Sequence, residues 1–120
     1  MMLIDKIRSL EFGSVIPKPA ATADFKIKCW GKRRGEIALI YFIPNHKSPS
    51  KPLSKGITIS EFQHAYDEIT KNGKLTRAWF NSFLPACAKE GGCNFTSIGG
   101  IFVLLGIAKY EGHGVYSLCP

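Results

Sequence analysis

Residues 24–43 read DFKIKCWGKRRGEIALIYFI, and two patterns in this stretch predict a β-hairpin. The first half alternates, so that Phe25, Ile27 and Cys29 share one face of a strand and Lys26 and Lys28 share the other. The second half, residues 37–43, is an unbroken apolar run, which suits a strand covered on both faces. Glycines at both ends of the connecting residues 31–35 are typical of a short hairpin loop, which would hold three cations at its tip.

Positive charge is concentrated around this hairpin. The chain has 16 Lys and Arg against 9 Asp and Glu, a net charge of +7. Residues 25–56 carry that whole excess, with eight cations against Glu36, and the rest of the chain is neutral. Such a cluster attracts a polyanion, either nucleic acid or an anionic membrane surface, although exposed basic loops that bind nothing are also common.

The composition indicates one globular domain. A length of 120 residues allows one hydrophobic core and is too short for two. Hydrophobic residues at 45% with 12 Gly and 7 Pro predict many short elements of an α+β protein. We therefore expect a single domain over residues 1–120. It divides into an N-terminal segment (1–23) with a short helix over 3–10, the hairpin (24–43), a loop rich in Pro, Ser and Lys (44–56) and a C-terminal unit (57–118).

The sequence shows no targeting or membrane segment. The first residues, MMLIDKIRSLEF, place charges every few positions and lack the apolar run of a signal peptide. The longest apolar stretch, residues 98–108, contains three glycines and is far shorter than the ~20 residues that a membrane span needs. We therefore expect a cytoplasmic protein that does not contact the membrane.

The cysteines predict neither a metal site nor a cofactor. Cys29, Cys87, Cys93 and Cys119 form no C-x-x-C pair, and His46, His64 and His113 are too distant in sequence to complete a zinc shell in a recognisable pattern. Free thiols, mostly buried, are the expectation for a reducing compartment. A Cys nucleophile paired with His113 is formally possible, but no local pattern supports it. No catalytic signature is present, so we expect a protein that is not an enzyme.

After the loop, the apolar period changes from two towards three and four, which indicates helices. Ser60 with Gln63 matches a capping box for a helix that ends at Asn72 and Gly73. A second helix is predicted to begin near Thr76 and to be bent or split by Pro85, and a third to begin at Thr96. Residues 107–110 and 115–118 are predicted to form a closing hairpin.

This order of elements resembles the winged helix-turn-helix family. Residues 95–118, FTSIGGIFVLLGIAKYEGHGVYSL, are similar to the third helix and wing of that family, and residues 73–76 correspond to its short first strand. The resemblance covers residues 57–118 and implies an α+β fold with an N-terminal basic β-hairpin, a three-helix winged-helix-like unit and a C-terminal β-hairpin. It also implies that the third helix enters the DNA major groove. That helix has no Arg or Lys, and its two interior glycines instead suggest close packing.

These observations favour a small basic protein that binds nucleic acid, with DNA preferred, through electrostatic contacts to the backbone. Trp30 beside the hairpin tip is a candidate for stacking on an unpaired base. The alternative is a non-enzymatic protein-interaction module, which could form a homodimer. Its docking face would be the glycine-bearing helix or an open strand edge. The candidate nucleic-acid contacts are Lys26, Lys28, Trp30, Lys32, Arg33, Arg34, Lys47, Lys51, Lys55, Ser97, Lys109 and His113.

Overall fold

A computed structural model describes residues 2–20, 23–45, 47–48 and 50–120. Their order of elements is a short helix, four strands, a long helix, a short strand, three further helices and a final pair of strands. The bounds are α1 (Leu3–Arg8), β1 (Val15–Ile16), β2 (Phe25–Arg33), β3 (Glu36–Ile43), β4 (Leu53–Thr58), α2 (Ile59–Asn72), β5 (Lys74–Thr76), α3 (Arg77–Phe83), α4 (Pro85–Glu90), α5 (Cys93–Leu104), β6 (Ala108–Gly112) and β7 (Val115–Leu118).

The first four strands form one antiparallel sheet in the order β1-β2-β3-β4. Strands β2 and β3 are joined by the two residues Arg34 and Gly35, whose φ angles are +51° and +76°. Positive φ at both central residues is the requirement of a type I′ turn, which matches the twist of the flanking strands. The turn is therefore shorter than predicted: Gly31 lies inside β2, and the three cations are not together at a tip.

A β-bulge interrupts β2 between Ile27 and Cys29. Ile27 is opposite Tyr41, whereas Cys29 is opposite the next residue of β3, Ile40. Cross-strand partners share a face and neighbouring residues of a strand alternate, so the extra residue, Lys28, moves Cys29 to the opposite face from Ile27. The prediction that Phe25, Ile27 and Cys29 share one face is wrong at Cys29, because the bulge shifts the alternation of faces by one residue.

The second sheet has three strands in the order β5-β7-β6. It follows α2, whose capping box is formed by Thr58 and Glu61 rather than by the predicted pair Ser60 and Gln63. Gly73 ends α2 in the left-handed conformation at φ +80°, as predicted. Pro85 begins a new helix, α4, and thereby splits the predicted second helix in two.

Helix α5 lies in the centre of the hydrophobic core. Its residues Phe95, Ile98, Ile101 and Phe102 are fully buried, and α5 contacts both sheets. It begins at Cys93 rather than at the predicted Thr96. The two interior glycines explain this central position, because a Cβ at Gly99 would lie 2.2 Å from the Tyr116 ring and one at Gly100 would lie 2.4 Å from the Pro17 carbonyl oxygen.

The predicted fold class is wrong beyond its α+β assignment. The chain begins with a helix, and the basic hairpin is the inner pair of a four-stranded sheet rather than a separate N-terminal unit. The C-terminal part has four helices rather than three, together with a three-stranded sheet. The physical reason is the doubly apolar strand β3, which needs strand neighbours on both edges and cover on both faces. Strands β2 and β4 supply those neighbours, and β1 of the N-terminal segment pairs with the outer edge of β2.

Gly99→Ala is expected to destabilise the protein, although an Ala in a helix is normally favoured over Gly by about 1 kcal/mol. The added methyl group would overlap the buried Tyr116 ring and should lower the free energy of unfolding by about 2–4 kcal/mol. Chemical denaturation measures the difference. Gly92→Ala is the control, since a Cβ there would lie 3.6 Å from the flexible end of Arg77. Equal stability of the two variants would contradict the close packing at Gly99.

Candidate functional site

The exposed lysines of β2 project from both faces of its sheet. Lys26 is opposite Phe42 and Lys32 is opposite Ile37 on β3. Because positions 37 and 42 differ by an odd number, the two lysines lie on opposite faces. The bulge at Lys28 produces this change of face, and the cations of the hairpin therefore do not form one continuous surface.

Arg34, in the hairpin turn, is held by carboxylates from two helices. Its guanidinium donates to both oxygens of Glu61 at 2.7 Å and to Oε1 of Glu90 at 2.5 Å. It also donates to the carbonyl oxygen of Gly56 at 2.8 Å. These contacts are far apart in sequence, and they join the tip of the first sheet to the start of α2 and the end of α4.

The Glu61 carboxylate takes part both in this ion pair and in the capping box of α2. Its Oε1 accepts a hydrogen bond from the Thr58 backbone N–H at 2.8 Å as well as from Arg34. Burial alone would raise the pKa of Glu61, but the hydrogen bonds from Arg34 and Thr58 outweigh burial and hold the pKa below its usual value. The hydrogen bonds that Arg34 donates to the carboxylates of Glu61 and Glu90 raise the pKa of Arg34 above its usual value. The pair is therefore ionised at neutral pH.

Two other predicted nucleic-acid contacts also bind α4. Nε of Arg33 donates to Oε2 of Glu90 at 3.1 Å, and Nζ of Lys55 donates to the Glu90 carbonyl oxygen at 2.6 Å. The aliphatic part of Arg33 covers Gly56, where a Cβ would lie 2.7 Å from the Arg33 Cγ. Arg33, Arg34 and Lys55 thus hold the first sheet against the helices, and a phosphate would have to compete with these contacts.

A different set of cations surrounds an open groove at the other end of the sheet. The groove has a volume of about 580 Å³ and is lined by residues 23–24, Lys26, residues 42–45 and Pro52. Lys26 and Ser54 flank Phe42 in one row across β2, β3 and β4. Nζ of Lys28 lies 5.3 Å from the centroid of the Phe42 ring, a distance typical of a cation–π contact. Phe42 is half-buried, so part of its ring faces the groove.

The loop after β3 carries two further lysines, Lys47 and Lys51. Asn45 lines the groove and organises the loop, because its side chain donates to the Lys51 carbonyl oxygen at 3.0 Å and accepts from the Lys47 N–H at 3.2 Å. Lys47 and Lys51 are both exposed. Asp24 is the acidic residue among those lining the groove. At this end of the sheet, the half-buried Phe42 ring therefore lies beside Lys26 and Lys28, and the following loop carries Lys47 and Lys51.

Helix α5 does not present a face for major-groove recognition. Ser97 is fully buried, and its Oγ accepts a hydrogen bond from Nζ of Lys18 at 2.7 Å. Asn94 is also fully buried, where it accepts from Tyr41 and donates to the Cys87 carbonyl oxygen. The segment around Pro17 and Lys18 covers this part of the helix. A role for Ser97 in base recognition would require that segment to leave.

The Lys18 ammonium group occupies a nearly closed site against α5. It donates to the Cys93 carbonyl oxygen at 2.9 Å and to Oγ1 of Thr96 at 2.8 Å as well as to Ser97, which satisfies all three of its N–H groups. The Phe25 ring centroid is 4.2 Å away. Burial lowers the pKa of Lys18 to about 8. This lysine secures the N-terminal segment to the core.

The remaining predicted residues lie apart from the groove. Lys109 is exposed on β6, where its Nζ is 3.5 Å from Oε1 of Glu111. His113 lies in the turn between β6 and β7 with φ +51°. Trp30 is half-buried and packs against the hydrophobic core. The structure thus places Lys26 and Lys28 beside Phe42 and separates them from Trp30, Lys32, Lys109 and His113. Lys47 and Lys51 are exposed in the loop that follows the groove residues 42–45.

The cysteines carry no disulfide, and Cys87 alone is fully buried while the other three are half-buried. Burial raises the pKa of the Cys87 thiol, which disfavours the reactive thiolate. Among the described residues, no cluster of His, Cys, Asp and Glu has a geometry that could hold a metal ion. His46, considered above as a metal ligand, lies outside the described residues.

Sequence reasoning missed Lys18, Phe42, Glu61 and Glu90. Lys18 lies between Pro17 and Pro19. Because each proline fixes its own φ angle, the backbone around Lys18 is restricted, and this was the one sequence feature that pointed to a defined position for the residue. Phe42 was assigned to the core because it belongs to an apolar run. The roles of the two glutamates had no local signal, since their partner Arg34 is 27 residues from Glu61 and 56 from Glu90.

Comparison of this chain with protein-family models, with curated proteins and with solved structures finds no match. The resemblance to winged helix-turn-helix domains therefore stays a prediction. Within the described part of the chain, no helix is both long and apolar enough to cross a bilayer.

Arg34→Asn is expected to lower the free energy of unfolding by about 2–3 kcal/mol, because it leaves the partly buried Glu61 carboxylate without its cation and leaves Glu90 with Arg33 alone. Asn is chosen since it tolerates the left-handed backbone of the turn. Arg8→Ala, at an exposed arginine, is the control and should change stability by less than about 0.5 kcal/mol. Urea denaturation measures both variants.

The same variant has a defined pH dependence. The depressed pKa of Glu61 stabilises the wild type fully above the unfolded-state pKa of about 4.3, and this contribution is lost as the pH falls through the folded-state pKa. The difference in stability between the wild type and Arg34→Asn should therefore shrink between pH 6 and pH 3. A constant difference over that range would show that the ion pair is not its source.

Lys18→Met tests the buried ammonium group. Because the pKa of Lys18 is lower in the folded state, the unfolded chain binds more protons between pH 8 and about 10.4, and the stability contributed by this site rises with pH in that window. The stability of the wild type relative to Lys18→Met should increase by on the order of 1 kcal/mol between pH 7 and pH 10. Lys71→Met corrects for the loss of one exposed charge. A flat profile would mean that Lys18 is not desolvated.

Proposed function

We propose that this protein binds single-stranded nucleic acid in the groove formed by the ends of β2, β3 and β4. The observation that carries the proposal is the Phe42 ring, half-exposed beside the groove and flanked by Lys26 and Lys28. An aromatic face with adjacent cations is the combination that binds an unpaired base and its neighbouring phosphates.

The charge distribution supports this location over the hairpin turn. The charges of Arg33 and Arg34 are compensated by the carboxylates of Glu61 and Glu90. Lys55 is held by the backbone carbonyl oxygen of Glu90, which restrains its ammonium group without neutralising it. Lys26, Lys28, Lys47 and Lys51 make no salt bridge with any described residue. The excess positive charge that remains accessible is therefore concentrated around the groove, where it attracts a polyanion.

The buried state of α5 favours a single strand over a duplex. Duplex DNA is commonly read by a helix lying in the major groove, and α5 is covered by the segment around Lys18. A flexible single strand needs only a stacking surface and backbone cations. DNA and RNA share this chemistry, and the prediction that DNA is preferred is one arm of the experiment.

The double variant Lys26→Glu/Lys28→Glu is expected to weaken binding of a fluorescein-labelled dT12 oligonucleotide at least tenfold, measured by fluorescence anisotropy. Removing two phosphate contacts should also reduce the slope of log K against log salt by about 1.4, at about 0.7 per contact. Lys71→Glu/Lys74→Glu is the matched control, since it makes the same change of net charge at exposed lysines elsewhere.

Phe42→Leu separates stacking from charge. It keeps an apolar side chain at this half-buried position but removes the π face, and it should weaken dT12 binding by about 1 kcal/mol or more, roughly fivefold. Parallel titrations with U12 and with a 12-base-pair duplex compare RNA and duplex DNA with single-stranded DNA. Equal weakening by both double variants, or tighter binding of the duplex, would contradict this site.

A further inference from the structure

The edge of β2 facing away from β3 is open over half of the strand. Strand β1 is short and pairs only Val15 with Lys26 and Ile16 with Phe25. Backbone hydrogen bonds of Gly13 and Ser14 with Ile27 extend that pairing by one residue. Beyond Ile27, no described residue forms a strand beside this edge.

The hairpin geometry identifies which backbone groups point outward. In a two-residue hairpin the closing pair, Arg33 and Glu36, exchanges hydrogen bonds, and the pairs then alternate along the strands. The pairs of Lys32 with Ile37 and of Trp30 with Leu39 are consequently the non-bonded ones. The N–H and C=O groups of Trp30 and Lys32 therefore point away from β3, and the Lys32 carbonyl accepts only an exposed contact from Arg33 Nη1 at 2.9 Å.

An apolar groove lies on one face of the sheet beside this edge, where Trp30 and Ile37 share a face. It has a volume of about 730 Å³ and is bounded by residues 8–12 on one side and by Trp30 and Ile37 on the other. Phe12 is 60% exposed and Ile37 is 46% exposed, which is unusual for large apolar side chains beside a sheet. One residue of a strand occupies roughly 160 Å³, from a rise of about 3.3 Å, a strand spacing of about 4.8 Å and a thickness of about 10 Å. The groove therefore has room for about four to five residues.

We infer that this edge binds an extended acidic peptide segment, which adds a fifth strand beside β2 and places alternate apolar side chains in the groove. Outward-pointing N–H and C=O groups next to an apolar groove are the elements of recognition by strand addition. The Lys32 and Trp30 side chains lie on the face of the sheet opposite Phe42 and Lys26. Phe42 of the proposed nucleic-acid site is therefore not part of this surface.

Charge selects an acidic partner. Arg8 and Lys32 border the groove without a salt bridge to any described residue, against one acid, Glu11. A second copy of this chain would bring its own net charge of +7 and its own Lys32 to the same edge. Like charges on two paired strands repel each other. A partner strand with acidic residues among apolar ones therefore fits this edge better than the same edge of a second copy.

The test uses a fluorescein-labelled eight-residue peptide of alternating Val and Glu. We expect saturable binding by fluorescence anisotropy and slower amide hydrogen exchange at Trp30 and Lys32, measured by NMR. Lys32→Pro removes one outward N–H without removing a bond to β3, and it should weaken binding at least tenfold. Lys32→Ala keeps the N–H and should weaken binding less than Lys32→Pro.

Ile37→Ser tests the groove independently of the backbone, should Lys32→Pro fail to fold, and is expected to weaken binding at least threefold. Phe42→Leu should leave the protection of Trp30 and Lys32 intact, because Phe42 lies on β3 and on the opposite face of the sheet, which separates this surface from the proposed nucleic-acid site. The proposal is overturned if the peptide does not bind at 1 mM, or if binding leaves those two amides unprotected. It is equally overturned if light scattering shows a dimer that occupies this edge, or if dT12 protects the same amides.

Discussion

The architecture depends on the contact between the Arg34 guanidinium and the Glu61 carboxylate. Glu61 caps the first turn of α2 through Thr58 and at the same time fixes the turn between β2 and β3. Glu90, at the end of α4, completes the cluster with Arg34 and Arg33. One set of charges therefore links the first sheet to the helices around which the second sheet is built. A partly buried arginine can hold this position because its planar group has enough donors for both carboxylates and a backbone carbonyl.

This arrangement divides the basic residues into two groups with different roles. The cations nearest the hairpin turn stabilise the fold, and their charge is balanced by acids from distant parts of the chain. The cations at the opposite end of the sheet are exposed around Phe42 and Asn45. A net charge thus says little about where a polyanion would bind until the ion pairs are known, because paired charges attract little at a distance.

Much of the local structure could be predicted from the sequence. The C-terminal end of α2 at Gly73, the split at Pro85 and the pairing of β6 with β7 followed from glycine, proline and apolar period. The close packing suggested by Gly99 and Gly100 is present, with Tyr116 and Pro17 against them. The bulge at Lys28 was not predictable from alternation, since residues 25–29 alternate equally well without it. The bulge places Lys26 and Lys32 on opposite faces of the sheet. The predicted contacts along β2 therefore do not belong to one surface.

The sequence by itself determined an α+β chain with a basic central region, a glycine-bearing buried helix and no recognisable catalytic pattern. These features are local, because they depend on residue types and on spacings within one element. Tertiary structure alone decided which cations are compensated, which edge of β2 is left open and that Lys18 is buried against α5. Each of these depends on groups that are distant in the chain, and charge compensation and burial arise only when such groups are brought within a few ångströms of one another.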